Sequence, residues 1–432
     1  MKVCVVGLWH LGTVTAACLA AGGHQVMGLD FDAEAVQSLQ AGVPPLFEPG
    51  LAELVQQGLA AGLLHFTTDP IGALREAELV WVAYDTPVDP DDNADIAFVT
   101  ERVSLLFPHL VRGATVLISS QMPVGTTRLL EQQYAMAFPT KPVAFGYSPE
   151  NLRLGKAIDV FTHPDRVIVG VRSGADRARI AALLQPFTDR IEWMSIESAE
   201  MTKHAINAFL ALSITFINEL AVLCEAVGAD AKEVERGLKS ESRIGPRAYL
   251  SPGGPFAGGT LARDVMFLTQ IGSNQGVQTP LLAAVKTSND AHKQWVQRKL
   301  LALLGSLQDT TVCVWGLTYK PGTDTLRRSS AVELCCWLAE HGVHVLAHDP
   351  AVATLPEELA TQISLQSSPL AATVGAHALV VATEWPDYQG IAADDIVEGM
   401  ARPVVIDANR FLVKTLGSDA RIRYAAVGKA GL

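Results

Sequence analysis

Short apolar runs alternate with helix-length segments in two separate stretches of the chain, and this alternation constrains the fold more than any other feature. Short apolar runs bounded by turn residues predict buried strands, and strands that alternate with helices form parallel sheets. The first series is Lys2–Val6, His24–Asp30, Leu79–Ala83, Thr115–Ser119 and Val143–Tyr147. The second series is Val312–Trp315, His344–His348, Ala378–Ala382 and Val404–Asp407.

The segment between the two series has a helical pattern. One long helix is predicted from Glu200 to Gly228, and further helices follow to about Leu304. The fold class is therefore predicted to be α/β, with two Rossmann-like, doubly wound parallel-sheet domains joined by a central helical domain with one long helix. The predicted domain boundaries are 1–195, 196–304 and 305–432.

Composition indicates a soluble, globular protein of the cytoplasm. The 432 residues are 49% hydrophobic and 18% charged, which suits two or three packed domains and not disorder. A net charge of −12 without a Lys/Arg run argues against a nucleic-acid or anionic membrane surface. The six cysteines lie mostly in apolar segments without CxxC spacing, so we expect buried thiols in a reducing compartment, with neither disulfides nor a metal site.

Two apolar stretches need separate consideration. Lys2 to Ala21 contains Gly7, His10 and Gly12, so a strand and a turn explain it better than a signal peptide. Ala205 to Val227 carries two asparagines and two glutamates, which favours a buried or interface helix over a membrane span.

The glycine turn Gly7–Gly12 joins the first predicted strand to a helix, where backbone N–H groups favour a pyrophosphate. The usual fingerprint is GxGxxG, and Trp9 occupies the position of its middle glycine, so this side chain either repositions the cofactor or blocks it. Asp30, about twenty residues further on, suits the ribose hydroxyls of NAD and disfavours NADP. Gly7, Trp9, Leu11, Gly12 and Asp30 are therefore predicted to bind NAD, although a solvated aspartate is the alternative at position 30.

A series of short motifs extends over nearly the whole chain: Phe47–Leu51, Tyr84–Pro87, Ser120–Thr126, Ser148–Arg153, Glu200–Asn207, Gly316–Pro321, Thr383–Trp385 and Asp407–Asn409. In content and order these motifs resemble the UDP-glucose/GDP-mannose dehydrogenase family. The resemblance implies NAD in the first Rossmann-like domain, a nucleotide sugar (a UDP-sugar above all) in the last, and a homodimer through the central helix. It also implies oxidation of the sugar's C6 alcohol to a carboxylate in two hydride transfers, the second through a cysteine thiohemiacetal and a thioester.

Candidate catalytic residues follow from this resemblance. Lys203 and Asn207 lie at i and i+4 of the predicted long helix, where an ammonium and an amide could hold a developing alkoxide. The resemblance assigns Glu150 to the water that cleaves the thioester and Asp264 to a water shared with Lys203. Ordinary structural roles are the alternatives: a solvated lysine, a satisfied amide, a helix N-cap partner and a first-turn acid.

The resemblance also assigns binding residues. For the cofactor these are Thr86, Gln121, Glu150, Arg263 and Arg327, with Gln121 in place of the family's threonine and Arg263 in place of its lysine. For the nucleotide sugar they are Asn151, Leu152, Arg153, Lys203, Asn207, Arg243, Tyr249, Leu250, Gly253 and Lys320. Surface positions without a ligand are the alternative for Lys320 and Arg327.

One departure from the family bears on the reaction itself. The family's loop reads Phe-Gly-Gly-Ser-Cys followed by an apolar residue, Pro, Lys and Asp, and Phe256–Asp264 aligns with it without a gap. Thr260 then stands at the position of the cysteine nucleophile. A threonine hydroxyl needs a dedicated base and forms an ester that is harder to cleave than a thioester.

Three outcomes are open at this point, in order of preference. The enzyme stops after one hydride transfer, or it completes the acid by oxidising the aldehyde hydrate with Glu150 or Asp264 as base, or it binds nucleotides without turnover as a scaffold. A hydroxyacid dehydrogenase is a weaker reading, because the second nucleotide-like domain argues against it.

Overall fold

A computed structural model of the protein describes residues 1–87, 89, 94–150, 152–257 and 259–429. Asn151, a predicted substrate residue, lies outside these residues. The chain folds into two compact units, Met1–Ala205 and Ile206–Leu432. The predicted division into three domains stays a prediction.

The first unit is built on an eight-stranded sheet. Its strands are β1 (Lys2–Val6), β2 (Gln25–Leu29), β3 (Leu64–Thr67), β4 (Leu79–Val82), β5 (Thr115–Ile118), β6 (Ala144–Tyr147), β7 (Val167–Val171) and β8 (Ile191–Met194). They lie in the order β3-β2-β1-β4-β5-β6-β7-β8, and every neighbouring pair is parallel except β6 and β7. The central strands β4 and β5 are completely buried, as their continuous apolar sequences require.

Helices connect these strands: α1 (His10–Ala21), α2 (Ala33–Gln40), α3 (Leu51–Ala60), α4 (Pro70–Leu74), α5 (Ile96–Leu106), α6 (Thr126–Ala137), α7 (Ala157–Thr162) and α8 (Gly174–Leu184), with a 3₁₀ turn at Phe107–His109. Several begin at a side-chain cap. Asp32, Asp69 and Ser173 each accept hydrogen bonds from backbone N–H groups in the first turn of the helix that follows. Helix α1 is buried along almost its whole length, which explains its small and apolar composition.

Helix α9 (Ile196–Val227) is the long helix that the sequence predicts. By length and composition it could cross a membrane, and it is the one helix in the described part of the chain that passes this test; 44% of its most apolar window is buried. Its polar residues Glu200, Lys203, Asn207 and Asn218 are buried within the protein. Buried, hydrogen-bonded polar groups along its length favour a core helix.

The second unit contains a six-stranded, fully parallel sheet of order β11-β10-β9-β12-β13-β14. Its strands are β9 (Thr311–Trp315), β10 (His344–His348), β11 (Ile363–Leu365), β12 (Ala378–Val381), β13 (Val404–Asp407) and β14 (Arg423–Ala425). Its helices after α9 are α10 (Ala231–Ser240), α11 (Thr260–Asn274), α12 (Pro280–Lys293), α13 (Trp295–Leu304), α14 (Ser330–Glu340), α15 (Glu357–Ala360), α16 (Pro369–Thr373) and α17 (Ala393–Gly399), with a 3₁₀ turn at Pro386–Gly390. The strand order repeats that of the first six strands of the chain and is the Rossmann order.

The predicted α/β fold class, with two Rossmann-like sheets and a helical stretch between them, is confirmed. The five strands predicted for the first sheet (β1, β2, β4, β5 and β6) pair in parallel, and the one antiparallel pair joins β6 to β7, a strand that was not predicted. The chain between them forms only the six-residue helix α7 and does not cross back to the starting edge of the sheet. Five of the six cysteines are buried, as predicted.

Candidate active site

The glycine turn after β1 has the geometry of an anion-binding turn. Gly7 has φ +89°, and a Cβ on Gly12 would lie 1.7 Å from the Gly7 carbonyl oxygen, so neither position accepts a side chain. Helix α1 begins within this segment, at His10, and the side chain of its N-cap residue Trp9 makes no capping hydrogen bond. The first-turn N–H groups of α1 therefore suit a phosphate.

Trp9 occupies this turn without disrupting it. The residue is 53% exposed, and its carbonyl oxygen accepts the first hydrogen bond of α1, from the Thr13 N–H, at 2.9 Å. Leu11, in contrast, has its side chain buried in the core beneath the turn, so only its backbone faces a ligand at this position. The turn keeps its fold with a tryptophan at the middle position.

Asp30 stands beside the turn, immediately after β2. Its Oδ2 accepts a hydrogen bond of 2.6 Å from the Leu8 N–H, and its Oδ1 accepts one of 3.1 Å from the Asp32 N–H. The carboxylate is thereby fixed at the edge of the turn, where a ribose hydroxyl is recognised in dinucleotide-binding folds. Turn and carboxylate together fit NAD, with the pyrophosphate at the start of α1 and the ribose at Asp30.

Two further predicted cofactor residues contact each other at the same edge of the sheet. The Thr86 hydroxyl, after β4, donates to the Gln121 carbonyl oxygen, after β5, at 2.7 Å. Strands β1, β4 and β5 are adjacent and parallel, so these residues and the glycine turn share the carboxyl edge of the sheet. Ligands of doubly wound sheets bind at this edge.

Glu200 supports the segment that carries Gln121. It is 1% exposed, and its carboxylate accepts hydrogen bonds from the N–H groups of Gly125 at 2.6 Å and Thr127 at 3.0 Å, at the start of α6. A carboxylate is favourable at a helix N-terminus because the helix dipole is positive there. The neighbouring His204 donates from Nε2 to the Met122 carbonyl oxygen at 3.0 Å. The sequence places Glu200 in the motif Glu200–Asn207 and indicates no role for it.

We expect Glu200→Gln to lower the free energy of unfolding by about 2 kcal/mol, because one of two buried charge-assisted hydrogen bonds is lost. Urea denaturation at neutral pH measures this. The matched control is Glu197→Gln, which removes a partly exposed ion pair with Arg172 and should cost about 0.5 kcal/mol. Equal losses in the two variants would contradict the buried cap.

Lys203 is not a solvated surface lysine. It is 7% exposed, and its Nζ donates to the backbone carbonyl oxygen of Glu150, which follows β6. A buried ammonium is costly unless it is paired, so its position is determined by the protein. The structure thus brings together two predicted catalytic residues, Lys203 and Glu150. Leu152 is half-buried and Arg153 exposed in the loop that follows.

In the second unit, Asn207 and Asp264 are brought together. The Asn207 amide Nδ2 donates to Asp264 Oδ2, and Asp264, in the first turns of α11, is completely buried. The amide holds the buried carboxylate in one position, which suits ligand binding or proton transfer.

The second unit also contains a cavity of about 690 Å³, large enough for a nucleotide sugar. Four predicted residues line it: Thr260, Tyr249, Leu250 and Gly253. Gly253 contributes by close packing, since a Cβ there would lie 2.1 Å from Asn409 Oδ1.

Other predicted residues of the second unit lie apart from the lining of this cavity. In the described part of the chain, Arg243 is exposed and pairs with Glu241 at 3.0 Å, Arg327 is exposed, and Lys320 is half-buried next to the lining residue Tyr319. Arg263 is half-buried in the first turn of α11. Their predicted contacts to ligands stay predictions.

Several lining residues received no site role in the sequence analysis, namely Lys239, Arg247, Glu384 and Asn409. Burial raises the pKa of Glu384, and its hydrogen bond with the Asn409 side chain opposes that rise. The motifs Thr383–Trp385 and Asp407–Asn409 were the available signal. They mark the carboxyl ends of β12 and β13, where such folds bind ligands.

Thr260 is the first residue of α11, is exposed, and lines the cavity. The lining residues, as far as the chain is described, include no cysteine. The thiols of Cys313 and Cys335 lie in the cores around the second sheet, where burial raises their pKa well above the ordinary value. A thiol that stays protonated and buried is a poor nucleophile.

Three domain profiles of one family match successive parts of the chain. Residues 1–188 match the NAD binding domain of the UDP-glucose/GDP-mannose dehydrogenase family, residues 197–291 its central domain, and residues 313–414 its UDP binding domain. The chain belongs to the UDP-glucose/GDP-mannose dehydrogenase family.

Named relatives agree with this assignment. The chain is 35% identical to a UDP-glucose 6-dehydrogenase of Pseudomonas aeruginosa, over 99% of this chain and 98% of the relative, and 33% identical to UDP-glucose 6-dehydrogenase TuaD of Bacillus subtilis, over 99% and 93%. Among solved structures, a UDP-glucose dehydrogenase from Pyrobaculum islandicum matches with TM-score 0.86 and 28% identity, covering 99% of this chain and 98% of that one. A UDP-D-ManNAc dehydrogenase from Pyrococcus horikoshii, at TM-score 0.87 and 23% identity over the full length of both chains, shares the fold.

Membership of this dehydrogenase family confirms three predictions. The chain is an NAD-dependent nucleotide-sugar dehydrogenase, its cofactor is NAD, and the matched UDP binding domain supports a UDP-linked sugar as its ligand. The homodimer and the cytoplasmic location stay predictions.

Proposed function

We propose that this dehydrogenase oxidises the C6 hydroxymethyl group of a UDP-linked sugar and stops after one hydride transfer. The observation that carries the proposal is Thr260, which opens α11 and lines the cavity of the second unit at the position where the family's motif has its cysteine. The residues that the first oxidation needs are present.

The first oxidation removes a hydride from the alcohol carbon and a proton from its oxygen. NAD, when bound, supplies the hydride acceptor. The charge that develops on oxygen needs fixed donors, and a buried ammonium and a buried amide, Lys203 and Asn207, are residues of the required type, one turn apart on α9. Asp264 or a water that it holds takes the proton. No thiol takes part in this step.

In the family, the second oxidation depends on a covalent adduct with a cysteine. The Thr260 hydroxyl has a far higher pKa than a thiol, and without an adjacent base it does not add to an aldehyde at a useful rate. The aldehyde is therefore released, in equilibrium with its hydrate. The competing outcome is direct oxidation of that hydrate, with Glu150 or Asp264 as base. Product analysis distinguishes the two outcomes, because hydrate oxidation gives a carboxylate and release gives an aldehyde.

UDP-glucose is the first substrate to test, since relatives that are 35% and 33% identical to this chain are named UDP-glucose 6-dehydrogenases. The cationic side chains Lys239 and Arg247 on the wall of the cavity suit a diphosphate. Exposed Phe209, Phe216 and Leu223 recur every seven residues on α9, which supports the homodimer through this helix.

The experiment incubates the protein and NAD with UDP-glucose, UDP-N-acetylmannosamine and GDP-mannose in turn, follows NADH, and adds hydroxylamine to trap aldehyde as an oxime for mass spectrometry. We expect NADH and an oxime with a UDP-sugar, and neither with Asp264→Asn. Measurable NAD binding without turnover on any sugar would instead identify a scaffold protein.

A further inference from the structure

Glu48 joins three segments of the first unit through one buried carboxylate. The residue is 4% exposed. Its Oε2 accepts hydrogen bonds from His10 Nε2 at 3.0 Å and from the Gly155 N–H at 2.8 Å, while its Oε1 accepts one from the Ala157 N–H at 2.8 Å.

The donors belong to functionally different segments. His10 is the first residue of α1 and directly follows Trp9 in the glycine turn. Gly155 and Ala157 close the loop that follows Glu150 and contains Leu152 and Arg153, two predicted substrate residues. The carboxylate thus bridges the cofactor turn and the residues 152–157, which we call the substrate loop.

The three hydrogen bonds make these segments interdependent. If one segment moves away, the carboxylate loses a donor and bears the desolvation cost of an unsatisfied oxygen. If the carboxylate follows that segment, it loses the donors of the other two segments. A displacement of any one segment is therefore opposed. Ala157 is completely buried in the same core cluster as Leu11 and Val14 of α1. Packing and hydrogen bonds therefore connect the substrate loop to the first turns of α1.

We propose that Glu48 is a positioning residue that couples the NAD turn to the substrate loop, so that NAD bound at Gly7–Gly12 orders residues 152–157. His10 provides the hydrogen bond that connects Glu48 to the cofactor turn. The inference rests on the proposed function in one respect, that residues 152–157 contact the sugar nucleotide. The coupling itself requires only that NAD binds.

Hydrogen exchange with mass detection tests the coupling on the intact protein. In the wild type, saturating NAD should slow exchange of the amides in residues 152–157 by about fivefold. His10→Ala removes the hydrogen bond between Glu48 and the cofactor turn and leaves both hydrogen bonds to the loop. In this variant NAD should still bind, but it should no longer slow exchange of the loop amides. His65→Ala, at an exposed histidine whose ring hydrogen-bonds to the Gly62 carbonyl oxygen, is the matched control and should behave as wild type.

The outcomes separate the possible roles of Glu48. If Glu48 only caps the loop, NAD protects the loop in His10→Ala as much as in the wild type, because both loop hydrogen bonds remain. That result overturns the inference, as does a wild-type loop that NAD leaves unprotected. If His10→Ala no longer binds NAD, the variant to test is His10→Gln, whose amide can donate to Glu48. His10→Gln must then restore both NAD binding and protection of the loop. Failure to restore them also overturns the inference. If NAD protects the loop but no UDP-sugar yields NADH, the proposed function is contradicted and the coupling is still supported.

Discussion

Thr260→Cys is expected to raise the yield of NADH from about one to about two per UDP-sugar consumed and to convert the product from an aldehyde to a carboxylate. The new thiol would stand at the first position of α11 on the cavity wall, where the helix dipole favours the thiolate. NADH is counted at limiting sugar, and the product is identified by mass.

Two variants at the same position serve as controls. Thr260→Ser and Thr260→Ala should both keep about one NADH per sugar, with kcat within roughly threefold of the wild type, because the first oxidation needs no nucleophile at this position. Loss of turnover in Thr260→Ala alone would show that the threonine hydroxyl participates. An unchanged yield in Thr260→Cys, with the thiol accessible to alkylation, would contradict the assignment of the missing nucleophile.

Lys203→Met should lower kcat by about 10²–10³-fold, the range seen when one fixed donor to a developing oxyanion is removed. Lys203 is buried and is held by the Glu150 carbonyl oxygen, so its ammonium group is a fixed donor of this kind. Steady-state kinetics with NADH detection measures kcat, and NAD affinity, measured separately by calorimetry, should change by less than about threefold.

Lys286→Met is the matched control for this substitution. It removes the same charge at an exposed position whose partner is Asp290, one turn along the same helix. Its kcat should equal that of the wild type. If Lys203→Met keeps more than about a tenth of the wild-type kcat while folding normally, Lys203 has a structural role and the catalytic assignment fails.

The strands that the sequence predicts correctly are those with continuous apolar runs, such as β1, β10 and β13, which match their predicted bounds or nearly so. The missed strands β3, β7, β8, β11 and β14 all lie at or next to sheet edges. The short sequences of β3, β11 and β14 alternate apolar with polar residues, whereas β7 was missed although it is a continuous apolar run. Period-2 patterns of three or four residues are too short to distinguish from loops.

The predictability of the site differs by type of contact. The glycine turn with Asp30, and the candidates Lys203, Asn207 and Asp264, were named from local motifs and from a resemblance to known enzymes. The direct hydrogen bond between Asn207 and Asp264 was not predicted. Glu48 and Glu200 act by accepting backbone N–H groups from residues far along the chain, 107 positions away in the case of Gly155. No sequence pattern encodes an acceptor for a distant backbone donor, so their roles emerge only from the folded chain.

The number of NADH molecules formed per UDP-sugar by the unmodified protein tests the central claim most directly. The measurement uses limiting sugar, excess NAD and complete conversion, with product mass as the second readout. We expect about one NADH per sugar and an aldehyde that hydroxylamine traps. A yield of about two with a carboxylate product would contradict oxidation that stops at the first hydride transfer.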